Sequence, residues 1–543
     1  MEKSLGTTVA KNAVANVARG TVTALVALAV PPFLTRALPP AQYGAWSLVL
    51  QLAAYVWYLE FGIQLVVGRF VAHGNERHEF EHRDRIVSTA LAVLTAACLL
   101  AMILMAVLIV LLPSFFHKMP AGLYPDVRMA LALVGGSLAI GLPAAVFNGI
   151  FMGLQRYDII AAIVAGSRIF SAILLVVIAR YGGGIPGMAL SMAIVNLTAY
   201  ILQWLVARRY APDIRISSRL VSRDTGRELL GQCVSLGVWS FSMLLISGLD
   251  LTLVGVFDYD KTAFYAVAVT LVTFAAGLQH YVFNAMMPSA AVLHARGASR
   301  ELGRMVINAT RYGMFLLLFT GLPLVLAARP ILTIWVGPGY ATQAAIFLRI
   351  LVLANVVRLS AVPYSVTLIG TGQQRLVILT PILEGVSNLL ISVVAGYYWG
   401  AFGVAFGTLC GAFVGVGGNL FYNIRRTTEV QFGVREYIRE SLLRPVLCTL
   451  PLVCAWLIQL AMTDLQSSMR TSVVLFGGLA TAYTLWRWGL VGTEREKIRA
   501  ISHFSTMSSK ARARLHRVVE IEADAACSSN WKAADDPSQG CAN

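Results

Sequence analysis

Charge is scarce in this chain. Only 13% of its 543 residues are Asp, Glu, Lys or Arg, against 57% hydrophobic residues. That balance excludes a disordered polymer and is unusual for a water-soluble domain. Acidic residues are the rarer sign, 27 against 43 basic ones, for a net charge of +16. Cysteine is sparse too. Cys98, Cys233, Cys410, Cys448, Cys454, Cys527 and Cys541 form no CxxC pair. A disulfide framework is therefore not expected, and the five in apolar runs read as small packing residues. A P-loop of the GxxxxGK[ST] type is missing, so ATP hydrolysis is not expected. No Ser/His/Asp arrangement and no carboxylate pair stands in a soluble region, so no enzyme and no cofactor is expected. His73, His78 and His82 lie in a charged loop without a second ligand cluster, so no metal is expected. The basic excess is not interleaved with aromatics as in a nucleic-acid module. It sits in alternate loops, which membrane topology explains first.

What the chain does have is apolar runs long enough to cross a bilayer, about 20 residues each. They fall at 12–36, 44–67, 86–112, 128–152, 159–180, 185–207, 231–256, 263–292, 305–328, 342–368, 376–397, 401–423, 444–463 and 471–490. Fourteen helices of an all-α polytopic membrane protein are expected. The first run follows Lys3 and Lys11, has no small-residue cleavage site, and reads as a membrane helix rather than a removed signal. Counting Lys and Arg near the run ends puts 20 on the side of the N-terminus and 7 on the other. Both termini are expected in the cytoplasm. The segment Glu494–Glu520 reads as a basic surface helix and Ser528–Asn543 as a disordered end.

A repeat is visible. Gly153-Leu154-Gln155-Arg156 returns as Gly372-Gln373-Gln374-Arg375, 219 residues later, each in a short cytoplasmic turn. Each is followed by a span, a Gly-rich outer turn, another span and an arginine pair, Arg208-Arg209 or Arg425-Arg426. Equivalent positions are an even number of spans apart, so the repeat is parallel, about an axis along the membrane normal. The expected organisation is a first lobe at 1–209, a basic linker at 210–230, a second lobe at 231–426, helices 13 and 14 at 427–491, and a cytoplasmic tail at 492–543.

Ionisable residues inside spans are costly and mark pathways or sites by default. Arg168 and Arg358 lie near the middle of runs 5 and 10. They read either as contacts to an anionic substrate or as partners in interhelical ion pairs. Arg19 and Arg311 lie nearer the cytoplasmic ends of runs 1 and 9, and Arg349 nearer the outer end of run 10. These three read as cavity lining or as side chains snorkelling to headgroups. Glu60, Asp250 and Glu384 are candidate sites for a coupling proton or sodium, or else acids paired with arginine. His280 is a further coupling candidate or a simple hydrogen-bonding group.

The stretch Phe33-Leu34-Thr35-Arg36-Ala37-Leu38-Pro39-Pro40-Ala41-Gln42-Tyr43-Gly44 resembles the first outer loop of the polysaccharide or O-antigen flippase family, in the MATE-like superfamily of multidrug, oligosaccharidyl-lipid and polysaccharide exporters. Phe61-Gly62-Ile63 at the end of run 2, Arg69-Phe70-Val71-Ala72, Gly153–Arg156, Asp250, Val254-Gly255 and Tyr265-Ala266-Val267-Ala268 are similar to family features. The resemblance covers about residues 8–425. It implies two lobes around a central cavity, in the bacterial inner membrane. It also implies movement of lipid-linked oligosaccharide repeat units on undecaprenyl pyrophosphate for surface polysaccharide or lipopolysaccharide. Proton or sodium would be the coupling ion. Membrane lipids, glycosyltransferases and a polysaccharide polymerase would be the partners, with no nucleic acid. A cation-coupled multidrug exporter and a lipid II flippase, in the same superfamily, are the alternatives.

Overall fold

The computed structural model describes residues 2–373, 378–427, 429–461, 467–489 and 495. Apart from Arg495, the tail at 492–543 with its two expected segments lies outside the described residues, as does Arg375 of the second turn motif. The described residues are all-α. Twelve of their helices are long and apolar enough to cross a membrane. The first ten coincide with runs 1–10. The eleventh, Leu379–Arg426, is 48 residues long and carries runs 11 and 12, because the chain reverses at Gly400 (φ 58°). The twelfth, Val434–Gln459, carries run 13, and the helix Ser467–Thr484 occupies run 14. Lipid tails offer no hydrogen bonds, so runs of this length must satisfy their backbones as helices.

The spans recur along the chain with constant bounds. The second and eighth, Pro40–Glu76 and Tyr259–Ala295, are both 37 residues long and offset by 219. The fourth and tenth, Ala121–Gly153 and Pro338–Gly370, are both 33 residues long and offset by 217. Turn geometry repeats as well. After the second and eighth spans, His78 and Gly297 are left-handed (φ 58° and 66°), and Glu79 N and Ala298 N donate back to Gly74 O and Leu293 O. After the fourth and tenth, the left-handed residues are Gln155 and Gly372, and Arg156 N and Gln373 N donate to Phe151 O and Leu368 O. The expected register of 219 at this second turn is therefore corrected to 217. Matching the Gly letters misaligns the two turns, because the first turn places its left-handed residue two positions after its glycine.

Several spans are interrupted. Phe61 and Gly62 are both left-handed (φ 51° and 74°) and break the second span, which then continues to Glu76; helix 2 does not end at Phe61–Ile63. The seventh span contains a π-helical stretch, Leu244–Gly248, between Arg223–Met243 and Asp250–Phe257. The tenth breaks at Ser360–Ala361, and Pro363 opens its last segment, Val362–Gly370.

The chain forms two compact units, 1–442 and 443–543. In the smaller, Arg444–Ala461 and Ser467–Thr484 pair through Thr484 Oγ1 to Cys448 O (2.6 Å) and Leu452 N to Thr481 Oγ1 (3.1 Å). In the larger, we name the end of the bundle that carries the N-terminus proximal and the opposite end distal. Among the described residues, hydrogen bonds between 1–209 and 248–426 all lie in the distal half. Gln51 Nε2 and Tyr55 Oη donate to Gly248 O (2.7 and 2.8 Å), Tyr259 Oη to Ala41 O, Thr35 Oγ1 to Val336 O and Trp335 Nε1 to Leu28 O. At the proximal end, Arg83 holds the linker by donating to Asp213 Oδ2 (2.7 Å) and Asp213 O (3.0 Å). At and just past its end, Leu229 and Cys233 enter the hydrophobic cluster of Val67, Ile86 and Leu94.

The two helices of the eleventh span lie antiparallel, and glycine makes their contact possible. Gly403, Gly407, Gly411 and Gly415 recur every four residues, so they line one helix face. A Cβ on Gly407 would collide with Ser392, one on Gly411 with Asn388 Cβ (2.8 Å) and one on Gly415 with Glu384. Small residues at this spacing let helix backbones approach where lipid gives no hydrophobic drive. Gly417, on the same helix, has open space around it. Gly407→Leu is expected to destabilise the protein by roughly 1–3 kcal/mol through overpacking, and Gly417→Leu to change little. Thermal unfolding in detergent compares them, and equal midpoints for both variants would remove the glycine face from the account.

Candidate functional site

The glycine-lined contact sets up a polar site on the opposing helix. Glu384, Asn388 and Ser392 follow one another at four-residue spacing and face Gly415, Gly411 and Gly407. The π-helical stretch of the seventh span leaves carbonyls without their usual helical donors. Asn388 Nδ2 takes up two of them, Leu245 O (3.1 Å) and Ile246 O (2.7 Å). The same amide lies 3.3 Å from Asp250 Oδ1, and Thr408 Oγ1 donates to Asp250 Oδ2 at 3.0 Å. Ser392 Oγ lies 3.1 Å from Asn388 Oδ1 and 3.2 Å from Val404 O. Asp250, Asn388, Ser392 and Thr408 are all buried. The Asn388 amide nitrogen, the Thr408 hydroxyl and carbonyl oxygens of the seventh span thus gather beside one buried acid. Such oxygens suit a hard cation, and the same acid could alternatively take a proton.

One turn along the same helix, Glu384 receives Arg358 Nε at 2.6 Å. Arg358 stands at the break of the tenth span and comes from the far side of the site. Its Nη2 is buried and has no hydrogen-bond partner among the described residues. Behind it, Asn355 Nδ2 donates to Gln279 Oε1 (3.0 Å), and Gln279 Nε2 to Thr320 Oγ1 (2.6 Å). This polar chain crosses from the tenth span through the eighth to the ninth. Tyr265, fully buried against Phe347, closes the site within electrostatic reach of Asp250 and Arg358.

The structure thus brings together Asp250, Glu384 and Arg358 among the residues singled out from sequence, and keeps the others apart. Of the two readings of Arg358, the ion pair is the one observed. Arg168 lies midway along the fifth span, Tyr157–Arg180, and is exposed. It is within electrostatic reach of Tyr200 on the sixth span and has no acidic partner among the described residues. Arg311 is 3% exposed, midway along the ninth span, with its guanidinium 5.1 Å from the Tyr312 ring centre. That corrects the snorkelling reading, because its side chain turns into the bundle rather than along it. Arg349 donates to Val325 O (3.1 Å), near the end of the ninth span. Arg19 is half-buried on the first span. Glu60 accepts Gln64 N at 2.7 Å, so it caps the helix that restarts after Phe61–Gly62, away from Asp250. His280 is exposed and outside the network. His73 and His82 face different glutamates, Glu79 and Glu228.

Asn388, Ser392, Thr408 and Gln279 are neutral, so a search for ionisable groups in the sequence passes over them. The four-residue spacing of Glu384, Asn388 and Ser392, opposite a four-residue glycine ladder, was the available signal.

The sequence profile of a family described as polysaccharide biosynthesis protein matches residues 9–294. A membrane protein of Bacillus subtilis (strain 168), the uncharacterized EpsK, is 23% identical over 493 residues, covering 87% of this chain and 93% of that protein. Among solved structures, the chain is similar to the lipid II flippase MurJ in an inward closed conformation, with a TM-score of 0.63 at 11% identity, over 87% of this chain and 97% of that one. It is also similar to a multidrug resistance MATE family transporter of the MOP superfamily in an inward-facing conformation, with a TM-score of 0.55 at 15% identity, over 79% and 96%. At such identities the structural likeness is one of fold. The profile, however, matches more than half of the sequence, and on that ground the chain belongs to the polysaccharide biosynthesis protein family.

Proposed function

We propose that this chain is a secondary transporter that flips undecaprenyl-pyrophosphate-linked oligosaccharide repeat units outward across the bacterial inner membrane. In this reading residues 1–209 and 231–426 are two lobes, the proximal end is cytoplasmic, and both termini lie there. The observation that carries it is Arg168. A guanidinium exposed at mid-depth, without an acidic partner among the described residues, is too costly against lipid tails. In this reading it faces an aqueous interior. An anionic pyrophosphate is the group that a planar arginine fork matches, through charge and paired hydrogen bonds. A cationic drug would be repelled there. The apolar polyprenyl tail can stay in lipid while the head crosses. The distal stitching between the halves supports a proximal entrance, because it closes the opposite end.

Directional flipping needs an energy source other than ATP. The oxygen cluster around Asp250 supports coupling to a sodium ion or a proton. It joins the seventh span to the eleventh, so filling or emptying it would bias helix 7. Arg358 and Glu384 hold the neighbouring turn in place.

Arg168→Ala should lower surface polysaccharide, and flipping of the undecaprenyl-linked glycan in vesicles, roughly tenfold or more, at normal folded yield. Lys should rescue in part, since it keeps charge but loses the fork. Lipid II in parallel vesicles separates the two glycan-lipid readings. Unchanged flipping by the Ala variant would end the headgroup assignment. Arg358→Ala should behave differently. It leaves Glu384 buried and unpaired, at a cost of about 3–5 kcal/mol, so folded yield should fall and return when Glu384→Gln is added. A single variant with wild-type yield and melting would contradict a structural ion pair.

Asp250→Asn should keep the fold, because Asn can still accept from Thr408. It should abolish the response of flipping to an imposed sodium or proton gradient. Measured in proteoliposomes, a variant with wild-type rate and gradient dependence would rule Asp250 out as the coupling site.

A further inference from the structure

The arginine pair in the last turn of the sixth span and the Gly153–Arg156 turn have no role in the proposed transport path. The structure places them side by side. Arg156 Cζ lies 4.6 Å from the ring centre of Tyr210, the residue that directly follows Arg208-Arg209. Arg208 Cζ lies 4.7 Å from the ring centre of Trp204, one turn earlier. Lys11 and Arg156 share one acid, Asp158, at 3.2 and 3.0 Å. Arg208 and Arg209 are exposed and have no acidic partner among the described residues. Two cations thus share one carboxylate, and exposed aromatic rings lie under Arg208 (Trp204) and Arg156 (Tyr210).

Depth identifies what this patch meets. The first span starts at Val14, the fourth ends at Gly153, the fifth starts at Tyr157 and the sixth ends at Tyr210. Lys11, Arg156, Arg208 and Arg209 therefore sit at span ends, where helix ends reach headgroups. Trp and Tyr settle at that level with one face apolar and one edge polar. A ring beneath a guanidinium holds it in place while its N–H fork remains free. The arrangement recurs in the second half: Arg426 Cζ lies 4.7 Å from the ring centre of Tyr422, so both members of the pair are offset by 218 from Arg208 and Trp204.

We propose that Trp204, Arg208, Arg209, Tyr210 and Arg156 form a binding site for the phosphate of an anionic phospholipid headgroup. Lys11 contributes charge from the first span, and Arg426 with Tyr422 forms a smaller counterpart. The ligand is a resident membrane lipid, distinct from any transported head at Arg168. Its occupancy ties the fourth-to-fifth turn to the end of the sixth span.

The test uses the full chain purified in a neutral detergent. Native mass spectrometry counts retained lipid after addition of phosphatidylglycerol or phosphatidylcholine, and tryptophan fluorescence follows the titration. Wild type should retain phosphatidylglycerol in preference, and the preference should weaken at about 1 M salt. Arg208→Gln with Arg209→Gln should weaken phosphatidylglycerol binding on the order of tenfold, with phosphatidylcholine binding and the melting temperature in detergent unchanged. Trp204→Leu should weaken it less. Equal retention of the two lipids by wild type, or wild-type affinity in the double Gln variant, would overturn the site. Displacement of the lipid by millimolar inorganic phosphate would overturn the lipid assignment in favour of a soluble anion. Flipping by Arg168 variants has no bearing on these readouts.

Discussion

A helix that breaks inside hydrocarbon must hand its freed backbone groups to another part of the protein, because no water is there to take them. The described spans obey this at the seventh span. Its π-helical stretch leaves Leu245 O and Ile246 O to Asn388 Nδ2, and Gly248 O to Gln51 and Tyr55. One interruption thus fixes two interfaces, with the eleventh span and with the second. The oxygen cluster around Asp250 exists because the interruption had to be bridged by polar side chains. Polar side chains in the membrane are in turn tolerated because they have those carbonyls to bind.

The bridge depends on close approach. Asn388 reaches the seventh span while its own backbone is pressed against Gly411, and Glu384 meets Arg358 while packed on Gly415. A side chain at either glycine would push the eleventh span off its neighbour. The ion pair would then separate, and the separated charges would carry a desolvation cost that the pair only just offsets. Packing of the smallest residues and placement of the most polar ones are therefore a single problem in this half of the protein.

The seventh span also straddles the repeat. Its proximal part shares a hydrophobic cluster with the second, third and fourth spans, and its distal part packs on the eleventh. Leu229 at the end of the linker and Cys233 at the start of the second half both pack into the first half. The linker before it is clipped to the third span by Arg83, which is 1% exposed. In the proposed transport cycle this helix is the element that both halves hold, so an ion bound at Asp250 acts on it directly.

By itself the sequence determined where the apolar spans fall. Hydrocarbon thickness sets the length of an apolar run, and that length is readable one residue at a time. It also marked Asp250, Glu384 and Arg358 as costly residues that needed a reason. Their assembly into one site was decided only in three dimensions. A charge in a run is visible in the sequence, but its partner sits 26 residues away for Arg358 and Glu384, and 158 away for Asp250 and Thr408. The turn register of 217, the inward turn of Arg311 and the capping role of Glu60 were likewise hidden, because each depends on backbone direction at a single residue. Neutral Asn388, Ser392 and Thr408 carry no cost that a sequence reader can see. Their importance comes from the glycine face opposite them and from a helix break on another span, and the fold alone brings these together.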